Sequence, residues 1–192
     1  MSSKIIQEVI TTLQDIGAVG DPVNGTKEVQ NKMMSFNMSD IDLANEEVEV
    51  KKYYNEALGE NYAGRLKIEQ DHYLFLEYAL KHKISEIQYF HKGEDMSSRK
   101  YIVFSGDCIN CMNILIRKDR NTFNVFMRSS DCLRLLPMDL LWCMKIFYNV
   151  LSRHGENCKA LDTVNFWITS CHYYDRDKSI CEEVIDGEDI FS

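Results

Sequence analysis

Two nearby cysteines, Cys108 and Cys111, are the first residues whose spacing could do chemistry. A C-x-x-C pair can hold zinc or cycle between dithiol and disulfide. Zinc would need a second ligand pair at suitable spacing, and the sequence has none. Redox chemistry would want the pair opening a helix, and the residues after Cys111 read as a strand. The other candidates are polar side chains at the ends of apolar runs. Arg128-Ser129-Ser130-Asp131 closes one alternating stretch, and His172-x-Tyr174 follows another. Residues i and i+2 of a strand face the same way, so His172 and Tyr174 share a side. Taken singly, each has an ordinary reading: a polar strand end, a packing pair, a small buried thiol at Cys108. Asp139 reads as a helix N-cap for Leu140 onward.

These residues need a framework, and the apolar pattern supplies one. Lys4 to Asp15 carries Ile5, Ile6, Val9, Ile10 and Leu13 on one helical face. A turn-rich stretch from Gly17 to Gly25 follows, and then Met34 to Met38 alternates as a half-buried strand does. Asp40 to Asn61 is acidic and weakly periodic and predicts little structure. Ile68 to Lys83 predicts a helix. Tyr101–Phe104, Met112–Arg117 and Thr122–Arg128 predict strands, the last two forming a hairpin across Asp119 and Asn121. Leu140 to Leu151 predicts a buried helix, and Val164 to Ser170 a strand running into Cys171-His172-Tyr173-Tyr174. The acidic tail, residues 181–192, reads as peripheral.

Composition fits one α/β domain spanning residues 1–192, with 45% hydrophobic and 27% charged residues. A formal net charge of −8 argues against a general nucleic-acid surface. A few converging arginines could still hold one phosphate. Seven cysteines without a framework spacing, and no signal peptide, point to reduced thiols in the cytoplasm. No apolar run reaches the roughly 18 residues of a membrane span.

Order along the chain is what joins these fragments. Cys108, Arg128-Ser129-x-Asp131, Pro137-x-Asp139 and His172-x-Tyr174 follow one another in a sequence that resembles the thymidylate synthase and deoxycytidylate hydroxymethylase superfamily. Asn113-Ile114-Leu115-Ile116-Arg117-Lys118-Asp119 is similar to that family's "Q-F-L-I-R-D-G". Met127-Arg128-Ser129-Ser130-Asp131 is similar to "M-R-S-N-D". Ser170-Cys171-His172-Tyr173-Tyr174-Asp175-Arg176 is similar to "S-L-H-I-Y-E-R". Ser98-Arg99-Lys100-Tyr101-Ile102 and Tyr62-Ala63-Gly64-Arg65-Leu66 are weaker matches.

The resemblance implies a mixed β-sheet with flanking helices and a sheet-on-sheet homodimer. It also implies a pyrimidine nucleoside monophosphate as ligand and C5 modification of the dCMP hydroxymethylase type. Cys108 would add to C6 of the base. Arg128 and Ser129 would bind the 5′-phosphate, with Arg99 reaching it across the dimer. Asp131 belongs to the same motif. His172 and Tyr174 would meet the sugar hydroxyl, and Asp139 would accept from the cytosine amino group. Methylene-tetrahydrofolate would be the one-carbon donor. The sequence departs from the family mainly on the folate side. The stretch before Tyr62 is short, and neither Glu56 nor Glu60 sits in an "E-x-x-W". Leu135 stands where the family has glycine, Asp107 stands where it has proline, and Ile180–Ser192 has no counterpart of the closing lid. The second reading is therefore a catalytically degenerate member that binds a nucleotide or a partner protein, including a full-length homologue. A purely structural protein is the third.

Overall fold

The computed structural model describes residues 3–90, 101–117, 119–153 and 162–187. Six strands form one sheet: β1 (Asp21–Val23), β2 (Thr26–Asn37), β3 (Ile102–Phe104), β4 (Ile109–Ile116), β5 (Asn121–Asp131) and β6 (Thr163–Tyr174). Their order is β1-β2-β6-β5-β4-β3, and only β5 and β6 are parallel. The connection between those two carries helix α4 (Leu136–Arg153). The β1–β2 hairpin turns on Asn24 and Gly25, both at positive φ (48° and 80°), the conformation a tight two-residue hairpin demands. The expected β4–β5 hairpin is present and longer than its apolar core suggested.

Helices cover one face. Helix α1 (Lys4–Val19) buries the predicted Ile5, Ile6, Val9, Ile10 and Leu13, and Ser3 caps it by accepting from the Ile6 N–H. Helix α3 (Tyr62–Phe90) overshoots its predicted span at both ends. Tyr73 of α3 stacks on Trp142 of α4 at 5.6 Å, and Phe123 of β5 stacks on Phe147 of α4 at 5.4 Å.

Residues 40–61 correct the sequence reading, because they are largely helical. Asp42 caps α2 (Leu43–Lys52) through the N–H groups of Ala44 and Asn45, and a π-helical turn, Tyr53–Ala57, follows. The apolar pattern is weak because three of the residues turned inward carry polar groups. Buried Glu46 accepts from Ser3 Oγ and from the N–H groups of Lys4 (2.8 Å) and Ile5 (3.2 Å), satisfying the open first turn of α1. Tyr53 and Tyr54 donate their hydroxyls to the carbonyls of Leu133 and Arg134, in the turn that leads from β5 into α4. The reading of residues 181–187 of the tail is corrected as well. Helix α5 (Lys178–Asp186) buries Cys181 and Val184 and is docked, not peripheral.

One irregularity runs across the sheet. In β6 the buried residues are Val164, Phe166 and Ile168, and then, out of phase, Cys171 and Tyr173. In β5 they are Asn121, Phe123, Val125 and Met127, and then Ser130 and Asp131. In β4 the register shifts between Ile109 and Cys111, and in β2 Asn31 takes a left-handed φ of 56°. The changes align: Met127, Ile168 and Lys32 form the last regular rung, and Ser129, Ser170 and Gln30 lie beyond it. Such bulges re-aim side chains.

The opposite face of the sheet carries two side-chain rows. Met33, Trp167, Phe126, Cys111 and Phe104 are register partners across five strands. Trp167 is 47% exposed and Phe104 73%. Beside them, Ser35 donates to Asn165 (2.7 Å), Asn165 to Asn124 (2.9 Å) and Asn124 to Asn113 (3.0 Å).

Replacing Glu46 with alanine should destabilise the chain by about 2 kcal/mol, because it strips acceptors from several donors at once. Urea denaturation measures this. An unchanged midpoint would show that water serves the α1 terminus equally well.

Candidate active site

The site lies beyond the line of bulges, where the ends of β5 and β6 meet the start of β4. A cleft of about 280 Å³ opens there, lined by Cys108, Ser129, Asp131, His172 and Tyr174 among others. Five residues nominated from sequence are thus brought together. Ser129 Oγ lies 3.9 Å from Cys108 Sγ, within reach of a weak hydrogen bond to sulfur. His172 and Tyr174 pack edge to face with ring centroids 5.5 Å apart.

Backbone contacts fix the half-buried thiol from both sides. Asp107 Oδ1 accepts the Cys108 N–H at 2.9 Å, and the Cys108 carbonyl accepts from the Arg128 N–H at 2.8 Å. The other Asp107 oxygen faces His72 Nδ1 at 3.6 Å. Asp131 organises the turn into α4, accepting the N–H groups of Leu133 and Arg134, both at 3.1 Å. Burial raises its pKa above the usual carboxylate value, against the pull of those bonds and of the Arg134 and His172 charges. The Cys132 N–H donates to the His172 carbonyl at 2.7 Å, tying the two strand ends together.

Arg128 and Asp139 stand elsewhere, and a third nominated residue is not placed. Arg99 lies outside the described residues. Arg128 is exposed and does not line the cleft, because it sits at the level of the bulges, one residue short of the strand end that turns inward. Asp139 is not a helix cap. Helix α4 begins at Leu136, and the Asp139 N–H already bonds the Leu135 carbonyl at 2.9 Å. Its carboxyl is buried behind Ser130 and accepts from Tyr73 Oη (2.5 Å) and Ser130 Oγ (3.4 Å). Burial, with Glu69 adding, pushes its pKa up to about 7, opposed by Tyr73, Ser130 and Arg65.

Three arginines that sequence reasoning passed over do line the cleft: Arg65, Arg134 and Arg176. Arg134 bonds Glu60 through Nε (2.8 Å) and Asp177 through Nη1 and Nη2, so two carboxylates offset its charge. Arg176 lies over the Tyr174 ring at 4.7 Å. Arg65 makes no ion pair with a described residue, and its Nε is buried without a partner. Arg65 and Arg176 stood inside quoted motif runs, but a lone arginine there is indistinguishable from a surface charge. Cys111 sits in the exposed apolar row, and burial raises its thiol pKa. Among the described residues no three His, Cys, Asp or Glu side chains gather as a metal site, and no helix is long and apolar enough to cross a membrane.

No protein-family model matches the sequence, and no curated protein matches it. Solved structures do match, among them thermostable thymidylate synthase A from Bacillus subtilis. That superposition has a TM-score of 0.63, covers 96% of this chain and 84% of the other, and has 14% sequence identity. Identity that low speaks for architecture and leaves chemistry to the site itself. The mixed six-stranded sheet with flanking helices is therefore the thymidylate synthase fold, carried by a highly divergent sequence.

Proposed function

We propose that the cleft binds a pyrimidine nucleoside monophosphate and that Cys108 adds to C6 of its base. The observation that carries this reading is the convergence of Cys108, Ser129, Asp131, His172 and Tyr174, distant in sequence, in one cleft. The thiolate forms the S–C6 bond, and the displaced π pair moves onto C5 and the conjugated ring, making C5 nucleophilic. Protonation at C5 gives a neutral adduct, and the reverse steps release the nucleotide. Ser129 serves the phosphate, and His172 and Tyr174 serve the sugar hydroxyl. Asp139 reads the base only through Ser130, so the dCMP preference has no direct contact behind it.

Hydroxymethyl transfer to C5 would need a donor, and the described residues do not fit methylene-tetrahydrofolate. A cleft of about 280 Å³ is at the lower limit for one small ligand. Trp142 is engaged with Tyr73, Trp167 stands on the far face of the sheet, and neither lines the cleft. This favours the second reading, a nucleotide-binding member without group transfer by the chain alone. We further propose a second copy of this chain as the occupant of the exposed apolar row. A flat, uncovered stripe of that kind is what an obligate interface buries.

Millimolar dCMP, CMP, dUMP or dTMP should raise the melting temperature, since a ligand at a hundred times its Kd adds about 2.7 kcal/mol. The bound nucleotide should also slow alkylation of Cys108 and leave Cys111 unprotected. Absence of any shift and of any protection would remove the basis of the reading.

The Asp139 carboxyl titrates inside the protein. Its folded pKa is raised from an ordinary 3.8 to about 7, so the fold favours the neutral acid. That contribution is full below about pH 4 and is lost as pH rises through 7. Asp139→Asn should therefore gain on the wild type, by on the order of 4 kcal/mol between pH 4 and pH 8. Urea titrations at both pH values test this. A constant difference would mean that Asp139 is ionised throughout.

Trp167→Lys combined with Phe126→Lys should convert a dimer into a monomer in sedimentation velocity. A wild-type chain that sediments as a monomer at tens of micromolar would overturn the second-copy proposal. It would turn attention to a full-length homologue as partner.

A further inference from the structure

We propose that Arg65 is a ligand-binding residue of this cleft, donating from its guanidinium to an oxygen of the bound molecule. The inference rests on the nucleotide reading above and names a contact that reading lacks.

Three arginines line the cleft, and they differ in how they are held. Arg134 is engaged at all three nitrogens by Glu60 and Asp177. Arg176 is spread on the Tyr174 ring, 77% exposed, with Nε 3.9 Å from an Asp177 oxygen already bonded to Arg134. Arg65 has neither arrangement. Among the described residues no carboxylate pairs with it, and its Nε is buried with no acceptor.

A buried donor left unpaired forfeits the water it gave up, and the loss is larger for a charged group. Arg65 has an acidic neighbour that could have relieved it. Its charge lowers the pKa of Asp139, so the two lie within electrostatic reach. Yet the Asp139 oxygens are occupied by Tyr73 and Ser130, and no Arg65–Asp139 ion pair forms. The guanidinium is thus held half-buried on the cleft wall by α3, charged and lacking an acceptor. An oxygen acceptor from a ligand meets that need directly. In a nucleotide the acceptor is either a phosphate oxygen or a base carbonyl, and both supply the same bond.

The test is calorimetry on the full chain with whichever of dCMP, CMP, dUMP and dTMP binds tightest, and with the corresponding nucleoside. Arg65→Met and Arg65→Lys are compared with the wild type, and Ser129→Ala serves as a second cleft variant. Arg65→Met should weaken the monophosphate roughly ten- to a hundredfold. Its ligand-free melting temperature should hold or rise, because a buried unpaired charge is removed. A purely structural arginine would do the opposite, lowering the melting temperature with unchanged affinity. Arg65→Lys keeps the charge and should bind more tightly than Arg65→Met. If nucleoside affinity falls equally, the acceptor is on the base; if only the monophosphate weakens, it is the phosphate. Undiminished monophosphate binding by Arg65→Met, with Ser129→Ala impaired, would overturn the role of Arg65 and leave the nucleotide reading intact. A wild type that binds none of the four would overturn both.

Discussion

The line of bulges across β2, β6, β5 and β4 is the constraint on which the rest depends. In an unbroken strand Ser129, Asp131, His172 and Tyr174 would share a face with Met127 and Ile168, beneath the helices. Ser129 and His172 would then be polar residues in the apolar core. Shifting the phase by one residue in β5 and β6 at the same level sends Ser130, Cys171 and Tyr173 inward instead. Strands β2, β6 and β5 keep their pairing because they shift together, and β4 follows with a one-residue register shift against β5. The parallel offset between β5 and β6 is the same before and after the step. A bulge in one strand alone would have broken the ladder at the place where the site needs it most rigid.

Rigidity at the strand ends has a second source, in the turn from β5 into α4. Asp131 holds its backbone N–H groups, Tyr53 and Tyr54 hold its carbonyls, and Arg134 ties it to Glu60 and to Asp177 beside α5. Charged and phenolic groups drawn from four segments thus converge on a few residues of chain. Preorganisation of this kind limits the ordering cost of binding a small ligand.

Much of this was legible in the sequence. Helices α1 and α4, strands β4, β5 and β6 and the hairpin announce themselves through long apolar periods, and the motif order put Cys108, Ser129, Asp131, His172 and Tyr174 in one place. What escaped had physical reasons. Segment 40–61 buries Glu46 and two tyrosine hydroxyls, which register as polar in any hydropathy pattern. The length of β2 was hidden because Asn31 reverses its alternation halfway along. Asp139 looked like a helix cap because its partner Tyr73 lies far away in sequence. The roles of Arg65 and Arg134 depend on which carboxylates stand near them, and a linear pattern does not carry that information.

The row Ser35–Asn165–Asn124–Asn113 bears on a problem that alternation cannot solve. Because side chains repeat every second residue, sliding one strand past its neighbour by two positions keeps apolar residues inside and polar residues outside. Hydrophobic burial alone barely distinguishes that misalignment from the native pairing. Asn165 and Asn124, however, each accept from the strand on one side and donate to the strand on the other, and Asn113 ends the row as an acceptor, in a single direction across four strands. A two-residue slip of β6 would bring Trp167 or Thr163 opposite Ser35 and Asn124, and the whole relay would lose its partners at once. The amides act as a vernier on the sheet, telling apart alignments that the core scores as equal.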